Sequence, residues 1–357
     1  MAGVVVVVAV LIGTVAVAIT SSTGIKRARV RLPRSVPPQA VGLPTGGIQT
    51  LRSAGPLAVN ATGSLFVVDD VRHEVLVRLT TGQFRVVAGE GTGGFSGDGG
   101  PATKAGLSDV TDLAFGPNGD LFLADNGRVR VIDQQGIIET IVGDGGAAAP
   151  VVSGTPARSA SLGPQLSIAL SPDGNLYLAT SAQILLLMSN DQLQPLMAVG
   201  KTVNTAYVGT QTAPLNSFGQ IAVDGHGNVY ASSIALGWSV YEVTPDGTAT
   251  HLGAARGSGG ALADVQLGPG DTAYAGDGGT VVRAEGGQLI PFHTFNKVSG
   301  SKADPVPQFF YLKWFAFAPS GALYADNIGG SAFGRYQEIV SFDHGTATSL
   351  WRHRIEH

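Results

Sequence analysis

Four aspartates occupy one recurring place in this chain: Asp69, Asp125, Asp277 and Asp326 each close a short apolar run. Thr180 and Ser232 hold the same place in two further runs. Short oxygen-bearing side chains there have two uses. They can cap the turn that follows by accepting hydrogen bonds from its N–H groups. Gathered around one axis, the carboxylates could instead hold a hard cation such as Ca²⁺; no other cofactor is expected. The histidines (His73, His226, His251, His293, His344, His353 and His357) fall at unlike places, so they do not supply the three or four converging ligands of a zinc centre. Gly89, Gly91 and Gly94 match the spacing of a dinucleotide fingerprint. Phe95 to Pro101 cannot open the helix that must meet a pyrophosphate, so the tract reads as a loop that needs positive φ. With no cysteine, disulfide and thiolate chemistry are excluded. No catalytic residue and no metal ligand is assigned.

The elements that must position these residues are short strands. After Gly89–Pro101 come Asp112–Phe115, a turn at Gly116–Gly119, Leu121–Asp125, Arg128–Ile132 and Ile137–Val142, four runs separated by Gly, Asn and Asp. The unit recurs as a small-apolar pair, a turn with glycine and an apolar-aromatic pair: Ala58-Val59 with Leu65-Phe66, Ala114-Phe115 with Leu121-Phe122, Ala169-Leu170 with Leu176-Tyr177, Ala222-Val223 with Val229-Tyr230, Gln266-Leu267 with Ala273-Tyr274, and Ala316-Phe317 with Leu323-Tyr324. The turn glycines are Gly63, Gly119, Gly174, Gly227, Gly270 and Gly321, a period of about 50 residues that signals a β-propeller. Six copies predict six four-stranded antiparallel blades. Leu107, Leu162, Leu215 and Phe309 keep a fixed offset before the next copy, as a plug repeated between blades would. Gly47–Leu51 resembles a blade's last strand, and Thr346–Trp351 is also a fourth-strand candidate. One of them, or both, is expected to close the ring by pairing beside blade 6.

Gly97–Ala102, then Asp112–Phe115, Leu121–Asn126, Arg128–Asp133 and Gly136–Ile141, resemble the NHL repeat. Thr155–Leu162 is a worn echo before blade 3, while blades 4 to 6 keep the strand grammar without the Asp-Gly-Gly-Pro signature. The resemblance covers about Gly47 to the C-terminus and points to the bacterial membrane-anchored or secreted six-bladed members. It implies the fold firmly and function weakly, because propellers host binding and catalysis alike. Lyases of similar fold use channel histidines, and lactonase-like propellers use channel Glu, Asp and Asn; no repeated position here supplies the histidines.

Charged residues make up only 13 % of the chain and the net charge is −4. Lys26, Arg27, Arg29, Arg31 and Arg34 all precede the first acid, Asp69, so the remainder is more acidic still and a poor nucleic-acid binder. Val4–Ile19 is apolar apart from Thr14. Residues 1–25 therefore read as a transmembrane or signal-anchor helix, 26–46 as a basic, Pro-rich tether and 47–357 as the propeller. The five cations would place the propeller inside by charge bias, whereas the resemblance favours export. The reading adopted is an uncleaved anchor through residues 4–25 with the propeller extracytoplasmic; a cleaved, secreted form and a cytoplasmic-facing one are the alternatives.

The expected function is a non-catalytic binding or sensor propeller that presents its loop-rich face to a protein or glycan partner. The alternative is a lactonase- or lyase-like enzyme with a carboxylate-held divalent metal in the channel. The face should collect Gly89–Ala102, the turns after the second strands and the irregular stretch Phe292–Trp314. Its candidate contacts are Asp98, Asp125, Asn126, Arg128, Trp238, Asp277, Phe309, Tyr311, Trp314, Asp326 and Asn327.

Overall fold

The computed structural model describes residues 46–200, 202–204, 212–214, 217–234, 238–254, 262–277, 280–294, 309–331, 334–343 and 346–355. The anchor and all but the last residue of the tether lie outside these, as does Leu215. Blade 1 holds β1 (Ile48–Gln49), β2 (Ala54–Val59), β3 (Leu65–Asp69), β4 (Glu74–Arg78) and β5 (Phe84–Ala88). Blade 2 holds β6 (Val110–Phe115), β7 (Leu121–Asp125), β8 (Arg128–Ile132) and β9 (Ile138–Val142). Blade 3 holds β10 (Thr155–Pro156), β11 (Leu166–Leu170), β12 (Leu176–Thr180), β13 (Gln183–Leu187) and β14 (Gln192–Ala198). Blade 4 runs through β15 (Thr202–Asn204), β16 (Thr212–Pro214), β17 (Phe218–Val223), β18 (Val229–Ile234), β19 (Trp238–Val243) and β20 (Ala249–Ala254). Blade 5 is β21 (Leu262–Gly268), β22 (Thr272–Asp277), β23 (Thr280–Glu285) and β24 (Gln288–Thr294). Blade 6 is β25 (Phe309–Phe317), β26 (Leu323–Ser331), β27 (Gly334–Asp343) and β28 (Thr346–Ile355). Six sheets result, each with a four-stranded antiparallel core, and the first core strands β2, β6, β11, β17, β21 and β25 touch in sequence around one axis.

The recurring glycines follow from backbone geometry. Gly63, Gly119, Gly174, Gly227, Gly270 and Gly321 all have φ between 73° and 87°. In most copies the glycine N–H bonds back to the carbonyl three residues earlier, as Gly119 does to Gly116 at 2.9 Å. A left-handed residue at the end of such a turn is cheap only for glycine.

Each blade interface encloses its own apolar cluster. Between blades 1 and 2, Phe66, Val75 and Val77 meet Leu107, Leu113 and Leu123, and Phe66 meets Phe115 edge-on at 4.8 Å. Leu107 and Leu162, 0 % and 1 % exposed, are the expected plugs. Leu51, at the same offset, is a third plug and not part of a strand. Burying such clusters is the main stabilising term.

Ring closure differs from the expectation. β28 is blade 6's own fourth strand, but β1 pairs with β5, placing Ile48 opposite Arg85 on the outer edge of blade 1. The lead-in segments of blades 2 and 3 do likewise: Pro101 bridges to Ile137 and Thr155 pairs with Leu193. The chain entering a blade thus runs along that blade's own rim before reaching the axis, and Gly47–Leu51 corresponds to Gly99–Leu107 rather than to a fourth strand. The ring is closed by packing and side-chain bonds. Leu51, Leu57 and Leu76 pack on Ala316 and Ile339, Gln337 Oε1 accepts the Ala54 N–H at 3.0 Å, and Trp351 Nε1 donates to the Leu51 carbonyl at 3.2 Å.

Candidate functional site

Three of the recurring oxygen-bearing residues, Asp69, Asp125 and Thr180, are buried caps. Asp69, 0 % exposed, accepts from the Arg52 N–H at 2.8 Å and from Val71 and Arg72 in its own turn. Asp125 reaches back to the Ser108 and Asp109 N–H groups at 2.8 and 3.1 Å. Thr180 Oγ1 accepts from Ala182 and Gln183. Burial still raises the Asp125 carboxyl above its usual range, against the pull of those two N–H groups and of Arg130. Among the described residues, no three of His, Asp and Glu stand close enough to share a metal ion.

The glycine tract is held by a residue absent from the candidate set. Arg130, fully buried on β8, pairs with Asp98 at 2.8 Å and with Asp125 at 3.4 Å. It also donates to the carbonyls of Ser96 at 2.7 Å and Gly106 at 2.8 Å. A guanidinium can satisfy four such acceptors at once because its donors are splayed in a plane. Asp98 is thus a clamp on the tract. Arg128 lies over the half-exposed Phe95 ring at 3.9 Å. Asn126 has φ 45°, and its backbone N–H bonds to the Asp109 carbonyl.

Several expected loop residues are in strands. Trp238 begins β19 opposite Ile234, and Asp277 ends β22 opposite Leu262. Phe309, Tyr311 and Trp314 belong to β25, paired with Gly330, Ile328 and Asp326. Asn327 lies inside β26. The six aromatic residues between Phe309 and Phe317 suit a strand, and β25 to β28 run 9 or 10 residues each. The irregular stretch expected from Phe292 is therefore shorter, because β24 continues to Thr294 and β25 begins at Phe309. Asp326 is buried within its strand, and Gln337 Nε2 donates to it at 3.0 Å.

Around the axis the first core strands converge on a cavity of about 420 Å³. Asp70, Asp109, Thr111, Gln165, Gln220, Lys313 and Trp314 contribute to its lining. Of the candidate contacts whose side chains are described, Trp314 reaches it and Asp98, Asp125, Asn126, Arg128 and Asp326 do not. Lys313 Nζ is 3.8 Å from Asp70 Oδ2 and 5.9 Å from the Trp314 ring centre. Burial raises the Asp70 carboxyl; Lys313 opposes the shift, and Asp109 and Asp69 add to it.

At the floor of the cavity lies a ring of residues two places before Ala58, Ala114, Ala169, Ala222, Gln266 and Ala316: Pro56, Asp112, Ser167, Gln220, Asp264 and Trp314. Three of them latch neighbouring blades. Asp112 accepts the Ile168 N–H at 2.9 Å, Ser167 accepts that of Ile221 at 3.1 Å, and Asp264 accepts that of Phe315 at 3.0 Å. An innermost strand has N–H groups with no ladder partner on the axis side, and these latches satisfy them. Asp112 is pushed up to about 7 by burial, against its three hydrogen bonds. Asp264 is pushed up to about 8, first by burial and then by Asp112. Both acids are absent from the candidate contacts, although an acid inside an apolar first strand is a visible signal. On the far side, Val59, Leu113, Phe115, Leu170, Leu267 and Phe317 line a smaller cavity of about 190 Å³.

The family described as the teneurin NHL domain matches residues 83–279. Mouse Teneurin-1 is 35% identical over 95 residues, 23% of this chain and 4% of its own length, so the chain spans only a small fraction of the relatives it matches. A structure described as a streptogramin B lyase has TM-score 0.50 at 8% identity and covers 87% of this chain and 88% of its own. Virginiamycin B lyase from Staphylococcus aureus has TM-score 0.49 at 12% identity and covers 87% and 89%. At 8% identity the likeness to the streptogramin B lyase is one of fold alone. With six NHL-type blades and a family match across more than half its length, the chain belongs to the teneurin NHL domain family of six-bladed propellers.

Proposed function

We propose that this protein is a non-catalytic binding propeller that takes a protein or glycan partner at the channel mouth. The observation that carries the reading is the mouth cavity, where Trp314 is joined by polar and charged groups from several blades while the far end of the same channel is apolar. Rigid strands that deliver unlike side chains to one concavity are the usual arrangement of a binding site. Crystal soaking with a fragment library tests it: bound fragments should concentrate at the mouth, and hits confined to the far end or the rim would refute it.

The enzyme reading draws on Asp112 and Asp264, a buried acid pair beside that cavity. Both are occupied as blade latches, which favours the structural role. Lactone turnover that needs a divalent cation and is abolished by Asp112→Asn and Asp264→Asn would replace binding with catalysis.

The apolar run supports attachment to a membrane through residues 4–25, and the resemblance to exported NHL propellers favours a propeller outside, against the charge bias of the five cations. Among the described residues no helix is long and apolar enough to cross a membrane; the proposed anchor lies outside them. Deleting residues 1–25 should release the protein from membranes, and protease added to intact cells should reach the propeller. Protection from protease would reverse the orientation.

A further inference from the structure

Resting on the mouth cavity as the binding site, we infer that its ligand presents a positively charged amine or guanidinium, which enters between Asp70 and Asp109 in the place that the Lys313 ammonium now approaches. Charge is the first ground. Among the described residues that line the cavity, two are carboxylates, one is an ammonium and the others are neutral, so their summed charge stays negative even with Lys313 present. Part-enclosed walls weaken the solvent's screening of that charge.

Construction is the second ground. Asp69 alone supplies the turn cap in blade 1, which leaves its neighbour Asp70 free of that duty. Blades 2, 3, 4, 5 and 6 carry Asn126, Ser181, Ile234, Gly278 and Ile328 at the corresponding place in sequence, so this carboxylate is peculiar to blade 1. The first strand makes room for it: a Cβ on Gly55 would collide with Asp70 Oδ1. Gly219, across the cavity, opens space in the same way, since its Cβ would fall 2.6 Å from Ser232 Oγ. Thr111, Leu166 and Lys313 fill the matching position in other blades.

Lys313 is the third ground. Its ammonium lies beside a carboxylate and near the rim of an indole ring, and it remains 43% exposed. It behaves as a tethered competitor on a long flexible stem. A ligand cation can displace it into solvent, exchange one ion pair for another, and gain the face of Trp314 and the Asp109 carboxylate as well.

Calorimetric titration of the full chain at low ionic strength tests this, with cadaverine and agmatine as the amine and guanidinium probes. Glutarate and maltotriose serve as the anionic and neutral probes. The diamine or agmatine should bind saturably, with affinity falling as salt rises. Asp70→Asn and Asp109→Asn should each weaken it about tenfold, with melting temperatures showing that the variants fold. Asp246→Asn, in the turn between β19 and β20 at the opposite end, should leave it unchanged. The sharpest sign is Lys313→Met, which should tighten cation binding several-fold, whereas Lys313→Arg should not. A lysine tripeptide and its Nε-acetylated form separate the sources: binding of the first alone points to a partner's basic side chain, and binding of only the free amines to a small ligand. Binding of glutarate or maltotriose instead, weakened by Lys313→Met or Trp314→Ala, would overturn the charge assignment and leave the mouth as the site. If none of the probes bound, the charge assignment would fall, and the fragment map would still decide the fate of the mouth.

Discussion

The two ends of the channel are built by the same strands and have opposite chemistry. The last residues of the first core strands repeat closely from blade to blade and are almost all apolar, so they seal the axis over a small cavity. The first residues of those strands vary from glycine to lysine and open a cavity about twice as large. Between them, Asp112, Ser167 and Asp264 tie blade to blade. The repeat is thus conservative where packing must close six ways around an axis, and it is free to vary where no neighbour imposes a shape. That division separates stability from recognition, and four substitutions probe it.

The largest effect is expected at the sealing side. Phe315, 0 % exposed between blades 5 and 6, should cost about 3–5 kcal/mol of unfolding free energy in urea when replaced by Ala. A cost near that of Trp314→Ala would break the contrast between the two ends.

Arg130→Ala should come next, at about 3 kcal/mol, because it strands the buried Asp125 and releases the glycine tract. Hydrogen exchange should then quicken at Gly99 and Ala102, whose N–H groups bond to blade 2's outer edge. Unchanged exchange there would show that the tract holds itself.

The latch makes a pH prediction. Asp112 and Asp264 bind protons more tightly folded than unfolded, with values raised from 3.8 to about 7 and about 8. A raised acid favours the folded state most below its unfolded value, and that advantage is lost as pH climbs through the folded one. Melting temperature should therefore fall from pH 4 toward pH 8, the two acids titrating as a pair. Asp112→Asn should flatten the slope; an unchanged slope would place the titration elsewhere.

The smallest effect belongs to the rim. Phe95→Ala removes a half-exposed ring under Arg128 and should cost about 0.5–1 kcal/mol. A larger loss would mean that the rim is structural and belongs with the sealing side.

The propeller was legible in the sequence because its signals are local. A glycine at each tight turn, an alternating apolar strand and a leucine at fixed offset reflect backbone sterics and nearest-neighbour packing, and both repeat with the chain. The same locality misled at the ring junction. Gly47–Leu51 looks like an outer strand, and only the pairing with β5 shows it to be a lead-in along blade 1. Arg130 was hidden because its partners lie at Asp98, Ser96 and Gly106, across the whole lead-in to its blade. Asp326 was visible as a recurrent acid, but it pairs with Trp314 as Ala124 pairs with Asp112, one place before the cap position, which Asn327 holds opposite Leu312.

By itself, then, the sequence determined the number of blades, the strand grammar and the two plugs at Leu107 and Leu162, since each depends on contacts within one repeat or between adjacent ones. Only the tertiary structure decided which side chains share the axis. Asp70, Asp109 and Lys313 are separated by up to 243 positions and meet because the ring brings blade 6 back beside blade 1. Their meeting depends on closure, a property of the whole circle that no single repeat encodes.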